Sequence, residues 1–212
     1  VGDLAGIAEA AAVERLAVLG AFHPGPEHGL PGGTLVLLGP DKGFWSHVIA
    51  GLEFSDGAPD PMDRWSARVI GRLADAAGGS ALFPFGEPVR PFVSWALASG
   101  HAWVSPVGLL VHDRAGLMVS FRGAILLSER LELAPTPSCP CETCAARPCL
   151  AACPAGALTE EGYALAACHA YLDTAEGQDC MTQGCRVRRS CPISAGAGRD
   201  PEQSAYHMRQ FH

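Results

Sequence analysis

All nine cysteines of this 212-residue chain lie between residues 139 and 191, and residues 1–138 contain none. That crowding constrains the C-terminal third more than any other feature does. Past residue 140 the chain is dominated by Gly, Pro, Cys and Ala, and only "YALAACHAYL" and the last ten residues carry a helical pattern. Such a segment buries too little apolar surface to fold unaided, so it is expected to fold around metal. A chemical boundary is placed in the Pro-rich "LAPTPSCP", dividing an N-terminal domain, 1–133, from a metal-binding module, 134–212.

Compartment and partners follow from what surrounds the cysteines. The N-terminal "VGDLAGIAEAAAVERLAVLG" carries acids early and lacks a basic flank, so it reads as a helix rather than a signal peptide. A cytoplasmic location is expected, where thiols stay reduced and serve as ligands rather than disulfides. Apolar runs such as 102–111 are too short and interrupted to span a bilayer. A net charge of −7 argues against nucleic acid as the partner. The local basic run "RVRR", 186–189, reads as a solvated turn, or as a docking patch or tuning charge beside a metal site.

In the N-terminal domain, Leu4, Ile7, Ala11, Leu16 and Leu19 recur at helical spacing, which predicts one helix over 3–20 stopped by Gly20. "TLVLLGP", 34–40, is a continuous apolar run suited to a buried strand. "FWSHVIAGL" and "DPMDRWSARVIGRLADAAGG" predict helices, the second with Asp60 as N-cap and Gly78–Gly79 at its end. "SALFPF" predicts a strand, "PFVSWALASG" a short helix stopped by Gly100, and 102–133 strands joined by a tight "DRAG" turn. Strands and helices mixed without regular alternation predict an α+β fold with a largely antiparallel sheet.

Thiolates suit both iron–sulfur clusters and zinc, so spacing must decide between them. The bacterial ferredoxin run is Cys-x2-Cys-x2-Cys-x3-Cys-Pro, its last cysteine reaching to the other cluster of a pair. Cys141, Cys144, Cys149 and Cys153-Pro154 match it with two extra residues before Cys149. A looser copy follows in Cys180, Cys185 and Cys191-Pro192, with Cys168 upstream. Eight cysteines make two sets of four if Cys141, Cys144, Cys149 and Cys191 share one site and Cys153, Cys168, Cys180 and Cys185 the other; Cys139 is left over. Two 4Fe-4S clusters are the expected occupants. Zinc is the alternative, needing only tetrahedral sulfur, and the widened loops keep it open.

With those residues named, the C-terminal part resembles the dicluster ferredoxin module of epoxyqueuosine reductases, which follows a cobalamin-binding domain in those enzymes. "GHAWVSPVGLLV" (100–111) is similar to that family's Gly-Leu-Gly-Trp-Ile-Gly-Lys segment, and "LMVSFRGAILLSERLEL" to the strand leading into its ferredoxin part. The family's pairing of ligands is the crossed one above. The N-terminal part is similar to cobalamin-processing chaperones of the methylmalonic-aciduria type C kind, through "AFHPGPEHGLPGGTLVLLGP" (21–40) and "SFRGAILL" (120–127). Together the resemblances cover roughly residues 14–192. They imply a flavin-reductase or nitroreductase type of domain binding cobalamin or flavin, and an iron–sulfur redox protein served by an electron-donor protein. Two departures stand out: Gly86 occupies the place of the reductases' catalytic acid, and Pro106 that of the signature lysine.

Candidate cofactor contacts in the N-terminal part are His23, in the Ala-Phe-His match, Arg90 and Arg122 as anion-binding guanidinium forks, and Trp103 as a stacking surface. His28, His47, His101 and His112 are further imidazoles able to ligate or shuttle protons. For most of them, and for Trp103 beside Trp95, a place in the core or on a solvated face is the simpler reading.

Overall fold

The computed structural model describes residues 3–159 and 162–212. It is mixed α and β, with a small antiparallel sheet and several helices. The chain divides into two compact units, one of residues 1–102 with 120–137 and one of 103–119 with 138–212. Segment 103–119, placed by sequence in the N-terminal domain, thus belongs with the cysteines.

In the first unit, α1 (Leu4–Val13) begins at an N-cap Asp3 whose carboxylate accepts the Gly6 amide at 2.7 Å. It ends earlier than its apolar spacing predicts. Arg15 adopts φ 56°, reversing the chain, and β1 (Leu16–Phe22) follows. Leu16 and Leu19 are therefore strand residues, and Gly20 is not a helix stop. It sits in a bulge, where register passes from Val18↔Leu38 to Ala21↔Val36. Its φ of 136° and the Ser99 hydroxyl 2.5 Å from where a Cβ would lie leave room for glycine alone.

β2 (Thr34–Pro40) pairs antiparallel with β1 and with β6 (Gly123–Leu127), and β3 (Ser80–Leu82) closes the order β1-β2-β6-β3. Leu35, Val36, Leu37 and Leu38 are all fully buried, which is why this strand reads as an unbroken apolar run rather than an alternation. Helix α2 (Phe44–Ile49) buries Phe44, Trp45 and Val48. Helix α3 (Pro61–Ala77) runs beside β3 and β6 and turns Met62, Trp65, Val69 and Ile70 inward. Asp60 precedes it without a side-chain capping bond; Pro61 supplies the preset φ instead, and Gly78 at φ 70° ends the helix as expected. Helix α4 (Phe92–Ala98) buries Phe92, Trp95 and Ala96.

The second unit opens with the two-stranded sheet of β4 (Ala102–Val104) and β5 (Leu110–His112). A second small hairpin joins β7 (Leu158–Thr159) and β8 (Gly162–Tyr163). Helix α5 (Leu165–Leu172) is the one read from "YALAACHAYL"; α6 (Gln178–Gln183) and α7 (Arg186–Ser190) lie in the cysteine-rich stretch, and α8 (Pro201–Phe211) closes the chain. A compact apolar core gathers Val107, Val111, Leu117, Cys149, Leu158 and Val187. Three long-range hydrogen bonds hold segment 112–119 to this unit. Ser194 Oγ accepts the Leu117 amide at 3.0 Å, and Arg188 and Arg199 each donate at 2.5 Å, to the Leu117 and Met118 carbonyls. Among the described residues no helix is long and apolar enough to cross a membrane.

Candidate metal centre

Cysteine placement in the second unit begins with local backbone. Cys141 lies in a turn closed by the Glu142 amide on the Cys139 carbonyl at 3.1 Å, and Cys144 follows just beyond it. Arg147 takes φ 38° and launches a single 3-10 turn, Pro148–Leu150, that buries Cys149. From far along the chain, Cys191 closes α7 in extended backbone before Pro192. These four cysteines line one cavity of about 330 Å³, within the range of small-ligand and cofactor sites. Its remaining wall is largely apolar, drawn from Val111, Leu117, Pro140, Pro148 and Ile193, with Pro106 at one side.

The thiols feel one another. Burial, followed by the proximity of Cys139, then Cys149 and Cys191, pushes the Cys141 thiol up to about 11. Cys149 is pushed up too, by burial first, with Cys191 and Cys144 adding to it. Neighbouring thiols of which Cys141 and Cys149 are raised by burial and by one another are a poor place for uncompensated thiolates and a good one for a cation or cationic cluster core, which removes the protons on binding. The donor set thus fits a thiophilic metal group. All nine cysteines are free thiols.

The second set shows local links among its members and their neighbours. Cys153 and Cys185 both pack on the unit's apolar core. Burial, with Cys185 nearby, raises the Cys180 thiol. Tyr163 donates its hydroxyl to Cys168 Sγ at 3.2 Å and lies within electrostatic reach of Cys185. The Ala157 amide donates to Cys153 Sγ at 3.2 Å. Among the described residues no three His, Cys, Asp or Glu side chains converge tightly enough to hold a single metal ion.

Of the sequence-named cofactor contacts, His23, Arg90 and Arg122 belong to the first unit and Trp103 to the second. The His23 Nε2 donates to the Leu131 carbonyl at 2.9 Å and its Nδ1 accepts from Arg130 at 3.0 Å, so both ring nitrogens tie down the segment after β6. Arg122 bonds the Phe121 carbonyl at 3.0 Å and pairs with Asp63 at 3.4 Å. Trp103 packs against the second unit's core. Arg90 is half-buried, and its side chain has no hydrogen bond or ion pair among the described residues. Other imidazoles are also engaged locally: His28 accepts the Gly25 amide, His47 bonds Glu14, and His112, fully buried, accepts the Arg114 and Ala115 amides. Tyr163 and Arg188 carry no individual sequence signal, although "RVRR" marks the latter's neighbourhood. No protein-family model, curated protein or solved structure matches this chain, so the case for its function stands on the cysteines themselves.

Proposed function

We propose that this chain is an iron–sulfur redox protein holding two 4Fe-4S clusters, with electrons delivered to a corrinoid or flavin in the first unit. The observation that carries the reading is the cavity lined by Cys141, Cys144, Cys149 and Cys191. A cysteine from the second stretch completes the first set, as crossed dicluster ligation requires. The sulfurs surround a volume instead of a point. A lone zinc draws four sulfurs to about 2.3 Å of one atom, whereas the thiolates of a cubane bind separate iron atoms at its corners.

A cluster bound there supplies one-electron chemistry. The protein's own contribution is placement: Pro106, Pro140, Pro148, Val111 and Leu117 give the sulfurs a largely apolar wall, where low polarity favours a low potential. The likeness to epoxyqueuosine reductases and cobalamin-processing chaperones supports an electron acceptor in the first unit with a flavin-reductase or nitroreductase type of fold. Arg90, half-buried and without a side-chain partner among the described residues, is a first-unit charge available to an anionic group. With Gly86 in the place of the catalytic acid, a substrate other than modified transfer RNA is favoured.

Anaerobic reconstitution tests the proposal. About eight iron and eight sulfide per chain, with a brown chromophore bleached by dithionite, are expected; titration with cob(II)alamin then tests the acceptor. Zinc as the sole metal in iron-replete, oxygen-free preparations, with no redox wave, overturns it in favour of a structural metal site.

A further inference from the structure

We infer that the two cysteine sets are electrically unequal: Arg188 and Tyr163 are positioning residues that raise the reduction potential of a cluster held by Cys153, Cys168, Cys180 and Cys185 above that of one held by Cys141, Cys144, Cys149 and Cys191. This rests on the iron–sulfur reading above. Reduction adds negative charge to a cluster and its thiolates, so a hydrogen bond to a ligand sulfur, or a nearby buried cation, stabilises the reduced state.

Both devices occur on the second set. Tyr163 Oη donates to Cys168 Sγ at 3.2 Å, and its ring is held parallel to Phe211, 6° between planes at 6.2 Å. Arg188 stands three residues after Cys185, on the same side of α7. Its guanidinium is part-buried and anchored by the Leu117 carbonyl at 2.5 Å, and it lies within electrostatic reach of Cys185 and Tyr163. Arginine stays protonated even where burial disfavours its charge. Asp179, beside Cys180, is already matched by Arg186 at 2.6 Å and by Arg189, so among the described residues it does not draw off the charge of Arg188.

In the first set the backbone amides of Cys149 and Leu150 bond the Cys149 sulfur, as the Ala157 amide bonds Cys153 in the second, but among the described residues no side-chain hydroxyl bonds one of its sulfurs and no buried guanidinium lines its cavity. Its cavity wall is mostly Pro and aliphatic side chains, with Thr143 and the exposed Arg147 as the polar members beside Ser105. An exposed arginine is screened by water and salt. The neighbouring Cys139 thiol is only a weak donor.

The test uses the full chain, reconstituted anaerobically, with iron and sulfide measured before a redox titration followed by electron paramagnetic resonance. Two separate one-electron waves are expected. Arg188→Met moves the upper wave down toward the lower and leaves the lower in place, Arg188→Lys restores most of the shift, and Cys168→Ser removes or displaces the upper wave. Tyr163→Phe gives a smaller downward shift of the same wave; at a position 43% exposed it is compatible with folding. Thermal unfolding of each variant shows that it is folded. Coincident waves in the wild-type chain, or Arg188→Met and Tyr163→Phe both leaving the upper wave unmoved at full iron content, overturn the inference while the iron–sulfur reading stands. Absence of iron in the wild-type chain removes both, and metal analysis tells the cases apart.

Discussion

Cys191 is the residue on which the assignment of sites turns, since it is the only one of the four cavity cysteines that comes from beyond residue 149. Cys191→Ser is expected to remove about half the bound iron, through the site shared with Cys141, and Cys139→Ser to leave iron content unchanged; iron and sulfide analysis checks both. A second residue-scale prediction concerns Glu53, 8% exposed, whose carboxylate accepts from Arg68 Nε at 2.5 Å and from its terminal nitrogen at 3.1 Å. The Arg68 bond holds Glu53 below its ordinary 4.5. A depressed folded value means that the contribution is present at neutral pH and is lost as pH falls through that value. Glu53→Gln should cost about 1 kcal/mol near neutrality, with the difference from wild type closing well below pH 4.5; urea unfolding at the two pH values measures it. The crossed set containing Cys191 is legible in the repeated Cys-Pro pattern. The Tyr163 bond to Cys168 is not, because a hydroxyl five residues from a thiol has no sequence signature.

At the scale of elements, sequence is most informative where composition leaves one choice. β2 is apolar throughout because it is buried throughout, and α3 shows an apolar stripe between a Pro start and a Gly stop. β1 reads as helix from sequence because its leucines continue the spacing of α1, and only the Arg15 backbone reversal separates the two. α6 and α7 are six and five residues long, too short to show periodicity. The glycines yield a paired prediction. Gly71 lies inside α3 with nothing within 4 Å of the place a methyl group would take, so Gly71→Ala should stabilise by about 0.5–1 kcal/mol. Gly116 has φ 56°, and a Cβ would come within 2.5 Å of the Ser194 backbone nitrogen. Gly116→Ala should therefore destabilise by about 2 kcal/mol or more, read as a fall in the denaturant midpoint.

Taken as a whole molecule, the chain consists of two units with different sources of order. The first has a four-stranded sheet with a continuous aliphatic interior; the second has a core of six buried residues that includes Cys149 itself. On the proposed reading, removing the clusters should abolish amide protection across 138–212 while β2 and β6 remain protected, which hydrogen exchange on reconstituted and metal-free protein resolves residue by residue. This division is only partly visible from the amino acids. A boundary at 133/134 follows the change in composition, but the bonds from Ser194, Arg188 and Arg199 that draw in 112–119 span more than seventy residues, a distance over which no local pattern operates. The strap has a practical consequence. A polypeptide cut to begin at residue 134 would carry every thiol yet lack Val107, Val111 and Leu117, so the fragment that looks from its cysteines like a portable ferredoxin would be missing part of its own interior.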